Sequence, residues 1–101
     1  MRVRWTDPAQ TDLLEILGYI AHDNPAAARR VGQRLLSAVR ALAEQPRRGR
    51  PGRVAGTREL VIPGLPYIAI YRVHEPSRSL TGEVEVLRVV HGARRWPGDG
   101  V

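Results

Sequence analysis

Two Asx–Pro dipeptides constrain how this chain folds more than any other feature. Asp7-Pro8 and Asn24-Pro25 each place a side-chain acceptor before a proline. That is the arrangement of a helix N-cap followed by a residue that loses nothing at the first helical position. After the first, Leu13, Ile16, Leu17 and Ile20 recur at i, i+3, i+4 and i+7, so residues 8–22 read as an amphipathic helix. After the second, Ala28, Val31, Leu35, Ala38, Val39 and Leu42 form another apolar stripe, predicting a helix over about 25–44. Only His22-Asp23-Asn24 separates them, and so short a link makes an antiparallel hairpin. Gly18 and Gly32 fall inside these helices and weaken them. Close approach of a neighbouring helix or sheet is the expected reason.

The rest of the chain has strand character. Arg2 to Trp5 is a short strand with Val3 and Trp5 on one face. Gln45 to Gly56 reads as a loop, broken by Pro46, Gly49, Pro51, Gly52 and Gly56. Thr57 to Ile62 is a strand, Pro63-Gly64 a turn, and Tyr67 to His74 a well-buried strand. A polar loop from Glu75 to Gly82 leads to a last strand, Glu83 to His91. Strict alternation there puts Val84, Val86, Arg88 and Val90 on one face and Glu85, Leu87, Val89 and His91 on the other. The order β-α-α-β-β-β predicts an α+β fold of two layers, a helix hairpin packed on an antiparallel sheet. With 101 residues, the chain makes one domain spanning 1–101. The second sheet face stays partly open, and function or a covering partner is expected there.

Charge is unevenly spread. Net charge is +6, and all basic residues are arginine. Residues 24–58 carry nine arginines against Glu44 alone, while 1–23 are net acidic and 59–101 neutral. Exclusive use of arginine reads as genome composition. The crowding of Arg47, Arg48, Arg50 and Arg53 in one loop does not, because like charges packed together repel. It suits an anionic partner, a nucleic acid or an acidic protein surface, since guanidinium forks grip phosphate or carboxylate.

Several classes are excluded. Cysteine is absent, which removes disulfides, thiolate metal sites and thiol nucleophiles. No apolar run approaches a membrane span, and Met1 to Trp5 lacks the apolar region of a signal peptide, so no membrane partner and a cytoplasmic location are expected. His22, His74 and His91 show no ligand-pair spacing, so neither metal nor other cofactor is expected. Gly49-Arg-Pro-Gly52 lacks the Lys-Ser/Thr of a phosphate loop. What remains is acid–base chemistry supported by arginine. His91 titrates in the right range and Glu59 is a second candidate base, with Arg58, Arg72, Arg88, Arg94 or Arg95 as clamps on a phosphorane-like charge. The plainer alternatives are a hydrogen-bonded strand-end histidine, a salt-bridged Glu59, Tyr67 and Tyr71 as packing, and Trp96 closing the edge of the core.

Three stretches carry a resemblance: Gly56-Thr-Arg-Glu-Leu60, Pro66-Tyr-Ile-Ala-Ile-Tyr-Arg-Val73 and Val86-Leu-Arg-Val-Val-His-Gly-Ala-Arg-Arg-Trp-Pro97. With Trp5, Ala9, Asp12-Leu13, Ile16, Tyr19-Ile20, Asn24-Pro25, Pro46 and Gly49-Arg50 they resemble the RelE/ParE family of bacterial toxins over about residues 3–97. The resemblance implies the toxin of a type II toxin–antitoxin module. A small cognate antitoxin would wrap it with a helix and an extended segment, and would reach operator DNA through its own DNA-binding domain. RelE-like members cleave mRNA on the ribosome, whereas ParE-like members inhibit DNA gyrase. Under the first activity Arg88, His91 and Arg94 would work on RNA. Under the second, Arg47, Arg48, Arg50, Arg53, Arg58, Arg72 and Arg95 would contact the target. A nuclease arginine of the family is here aliphatic, Ile62 or Ile68, and no tyrosine follows Tyr71. The resemblance therefore points first to gyrase, second to an mRNA endoribonuclease, and third to a non-toxic partner and co-repressor of the antitoxin.

Overall fold

The computed structural model describes residues 1–78 and 80–92. β1 (Arg2–Trp5) leads into α1 (Asp7–Asp23) and α2 (Pro25–Arg40), and a 3-10 turn over Ala41–Ala43 finishes the second helix. β2 (Arg50–Pro51), β3 (Arg58–Val61), β4 (Tyr67–His74) and β5 (Glu83–His91) follow. They form a five-stranded sheet in the order β1-β5-β4-β3-β2. The expected α+β class and helix hairpin are present, and β2 to β5 are antiparallel. β1 is the exception: it runs parallel to β5, with Arg2 opposite Glu83 and Trp5 opposite Val86.

The helix starts differ slightly from expectation. The cap of α1 is Thr6, whose Oγ1 accepts from the Ala9 N–H at 3.2 Å. Asp7 is instead the first helical residue, where its charge suits the positive helix end. Asn24 alone joins the helices. Its N–H donates to Ile20 O at 2.9 Å, and its side chain accepts from the Ala27 N–H at 3.0 Å. α2 stops at Arg40, four residues short of the predicted end, but Leu42 in the tighter turn continues its buried stripe.

The core lies between the hairpin and one sheet face. Leu35, Val39 and Leu42 meet Leu60, Ile62, Ala69, Tyr71, Val84, Val86 and Val89. Each buried leucine, isoleucine or valine there contributes about 1.5–3 kcal/mol of apolar burial. At Gly32 the helices pack closely, and an added Cβ would come into van der Waals contact with Leu17, 3.4 Å from its Cδ1. At Gly18 such a Cβ would meet nothing within 4 Å.

Two strand details depart from the sequence reading. Within the expected Gln45–Gly56 loop, Arg50 and Pro51 pair with Glu59 and Arg58 as a two-residue edge strand, the position a proline tolerates. In β5 the alternation breaks. Tyr71 faces Val86 and Ile70 faces Arg88, so Leu87 is the unpaired residue of a bulge. Beyond it Val89 pairs with Ala69 and joins Val84 and Val86 on the core face, and Val90 does not.

Candidate functional site

β1 ends at Trp5 while β5 runs on, so the far half of β5 would present a bare edge. α1 lies along that edge. Thr6 makes the turn, donating its N–H to Val86 O and its hydroxyl to Leu87 O, both at 3.0 Å. Asp12, one turn into the helix, then takes three hydrogen bonds: from Arg88 Nε at 2.7 Å, Arg88 Nη2 at 2.9 Å and the Val89 N–H at 2.9 Å. The Asp12 side chain is only 11% exposed and Arg88 42%. Hydrogen bonding to Asp12 raises the Arg88 pKa further above its ordinary value, against the opposing effect of burial.

Beside this pair a cleft of about 460 Å³ is lined by Glu15, Ile16, Tyr19, Tyr67 and His91 among others. His91 stands edge-on to Tyr67, with ring centroids 5.8 Å apart at 83°. The structure thus brings two of the predicted catalytic residues, Arg88 and His91, to one cleft. Arg94 and Arg95, with Trp96, lie outside the described residues. Among the described residues no group of three His, Asp or Glu side chains is placed to hold a metal ion. No helix among them is long and apolar enough to cross a membrane.

The predicted arginine loop is a separate assembly. Its scaffold is Tyr71, fully buried, whose hydroxyl donates to Pro46 O at 2.7 Å and accepts from the Gly49 N–H at 2.8 Å. Burial pushes the Tyr71 phenol above its usual range. Arg58 belongs to the same scaffold, donating to Gly49 O at 2.7 Å and Arg47 O at 3.3 Å. Glu59 accepts from Arg50 Nε at 3.1 Å and from the Arg53 N–H at 3.3 Å, an anchoring role. Arg47 pairs with Glu75. Among the described residues, no carboxylate stands within ion-pair distance of Arg48, Arg53 or Arg72.

The second sheet face is not the apolar surface expected to need a cover. Arg4 bridges Glu83 at 3.2 Å and Glu85 at 2.8 Å, and His74 Nε2 meets Glu85 at 2.9 Å. Val61 is exposed on the sheet, and the most exposed apolar side chains include two on the outside of the hairpin, Leu14 at 71% and Tyr19 at 82%. There a groove of about 640 Å³ runs between the helices, lined by Leu14, Leu17, Ala21, Ala28 and Leu36, with Gly18 and Gly32 as its floor. Sequence reading missed it because Leu14 and Leu36 fall off the core stripes. The doubled Leu13-Leu14 and Leu35-Leu36 were the available signal, since two adjacent helical residues cannot both face one core.

Known proteins resemble this chain along nearly its whole length. The family described as ParE toxin of type II toxin-antitoxin system, parDE, matches residues 3–96. The protein Y4kP of Sinorhizobium fredii is 48% identical over 96 residues, covering 95% of this chain and 93% of that one. Toxin RelE2 of Caulobacter vibrioides is 41% identical over 93 residues, covering 92% and 97%. Among solved structures, a chain of the chromosomal ParDE toxin–antitoxin system of P. aeruginosa superimposes with a TM-score of 0.78 at 28% identity, covering 90% of this chain and 95% of that chain.

Proposed function

The chain belongs to the ParE toxin family of type II toxin–antitoxin systems, and from that premise we propose how it is silenced and what it strikes. The neutralising segment of its antitoxin lies as a helix in the groove between α1 and α2. Leu14, Leu17 and Leu36 supply the apolar contact, and the two glycines let a partner's backbone come close. Arg29 at the rim favours an acidic residue on that helix.

Released, the toxin inhibits DNA gyrase rather than cutting mRNA. The observation that carries this reading is the Asp12–Arg88 pair. An endoribonuclease must aim positive charge at the oxyanion that develops on phosphorus. Here Arg88 gives Nε and one Nη2 hydrogen to Asp12, so its charge is paired with a carboxylate instead of standing unopposed in the cleft. Freeing it would strand a mostly buried carboxylate, at a cost of about 1–3 kcal/mol. The second reading, mRNA cleavage, rests on His91, which shares its cleft with Tyr67, Asp12 and Glu15.

The deciding experiment induces the toxin without antitoxin and follows methionine incorporation and a DNA-damage reporter together. Filamentation with the reporter on and translation continuing supports gyrase. A rapid translation stop with cut mRNA and a silent reporter overturns it in favour of the nuclease, for which His91→Ala at matched protein level must abolish toxicity. No toxicity at all would leave the co-repressor role.

A further inference from the structure

The arginine loop presents a cluster of guanidinium groups on a pinned backbone that neither the groove nor the cleft uses. Seven contacts fix the backbone. Tyr71 pins Pro46 and Gly49, Arg58 pins Arg47 and Gly49, and Glu59 pins Arg53. The Gly52 N–H donates to Thr57 O at 2.7 Å, and the Thr57 hydroxyl donates to Val54 O at 2.6 Å. Six arginines gather here, Arg47, Arg48, Arg50, Arg53, Arg58 and Arg72, against Glu59 and Glu75. Arg72 joins from β4, its Nε 4.0 Å from where a Cβ on Gly56 would stand. Their repulsion opposes folding, yet a buried tyrosine hydroxyl, a buried threonine and an arginine are all committed to holding the loop in shape.

The composition of the loop identifies the ligand. From Gln45 to Gly56 there is no aromatic residue and no leucine, isoleucine or methionine. A protein interface normally combines such charge with an apolar core, and this surface offers arginine with no aromatic or large aliphatic side chain beside it. A polyanionic backbone needs only fixed positive charge. We propose that Arg48, Arg53 and Arg72 bind the phosphodiester backbone of nucleic acid, with Arg47 and Arg50 as partly neutralised flanks and Arg58 as scaffold. No aromatic side chain stands in the loop to stack on bases, so the contact rests on the backbone phosphates. Duplex DNA and single-stranded RNA share the phosphodiester chemistry. The proposal depends on neither the antitoxin groove nor the choice of gyrase.

The test measures fluorescence anisotropy of labelled mixed-sequence probes, a duplex DNA and a single-stranded RNA, with the full chain over a series of salt concentrations. Salt-dependent binding to at least one probe is expected. The triple variant R48A/R53A/R72A should weaken it at least about tenfold at moderate salt and flatten the log–log salt slope by roughly three phosphate contacts. The double variant R2A/R4A, on the ion-paired edge, should change binding little and controls for two of the three lost charges. Tighter binding of the duplex assigns the natural ligand to DNA, and tighter binding of the single strand to RNA. Absence of salt-dependent binding to both probes, or a triple variant that binds like the parent, overturns the proposal. So does loss of antitoxin binding in the triple variant with no nucleic-acid binding by the parent, which would give the loop to the antitoxin. Unchanged thermal unfolding of the triple variant confirms that exposed charge, not fold, was removed.

Discussion

The groove of the helix hairpin and the arginine loop are both open to partners, and they are made of opposite materials. The groove is walled by Leu14, Leu17 and Leu36 on a floor of glycine and alanine. The loop displays arginine on a frame of proline and glycine, with Val54, half-buried, as its largest aliphatic residue. Water leaves the first on binding, and counterions leave the second. The groove is also assembled from two helices one residue apart in the chain. The loop is held by side chains from β3 and β4, of which Tyr71 is 22 residues or more from the atoms it pins. The difference teaches that recognition by burial can be built locally here, while recognition by charge needs the distant sheet to suppress repulsion.

Four measurements sharpen or break this contrast. The largest effect is expected from Gly18→Leu. A Cβ there meets nothing within 4 Å, and the helix gains up to about 1 kcal/mol of propensity. Antitoxin affinity should nevertheless fall by about 100-fold or more, a difference near 2.7 kcal/mol, read by calorimetric titration. Retained affinity in a variant that melts higher would remove the antitoxin from the groove. Salt comes next. Between 50 and 200 mM, three phosphate contacts should cost the loop about fortyfold in nucleic-acid affinity. Antitoxin binding should change by less than about threefold, because buried apolar contact is not screened. Equal salt slopes would erase the distinction between the regions.

Third is Gly49→Ala. Its Cβ would stand 2.7 Å from the Tyr71 hydroxyl and 2.9 Å from Glu59 O, both on the scaffold. Unfolding free energy should fall by about 1–3 kcal/mol in denaturant titration, with nucleic-acid affinity reduced and antitoxin affinity intact. The smallest effect concerns the ion-paired face between the two regions. His74, chiefly, and Arg4 hold the Glu85 pKa below its usual 4.5. A carboxyl depressed in the folded state stabilises it above the unfolded pKa, and that contribution is lost as pH falls through the folded value. Glu85→Gln should therefore lower stability at neutral pH by less than about 1 kcal/mol and converge with the parent in acid. A gap that persists in acid would mean packing, not charge.

How much of this was legible in the sequence depended on the range of the interaction involved. β1, β4 and β5 fall where their β-branched and aromatic runs begin and end, and the helix hairpin follows from two prolines. The cap was misplaced by one residue because Thr6 and Asp7 are both good caps and Pro8 is tolerated at either of the first two helical positions. The bulge at Leu87 left no trace, since Leu87, Val89 and Val90 are equally apolar whichever way they face. Arg88 and His91 were singled out as candidate catalytic residues on opposite faces of the last strand, and the bulge that brings both to one cleft was not foreseen; the partner of Arg88 lies 76 residues away in α1 and had no local signal. The loop arginines were found as a group. Sorting Arg58 into the scaffold required knowing which carbonyls β3 would bring under it.

The parallel seam between β1 and β5 has a consequence for synthesis. Arg2 to Trp5 find their neighbours only at Glu83 to Val86, and Asp12 finds Arg88 and Val89 later still. A nascent chain that stops short of β5 therefore leaves its first strand without a ladder and its first helix without an edge to cover. Such pairing across most of the chain is slow to close. The protein cannot take its working shape while most of it is still being translated. A chain terminated before β5 lacks the seam altogether, and under the proposed mode of neutralisation the helices are complete, and open to a partner, before the sheet is.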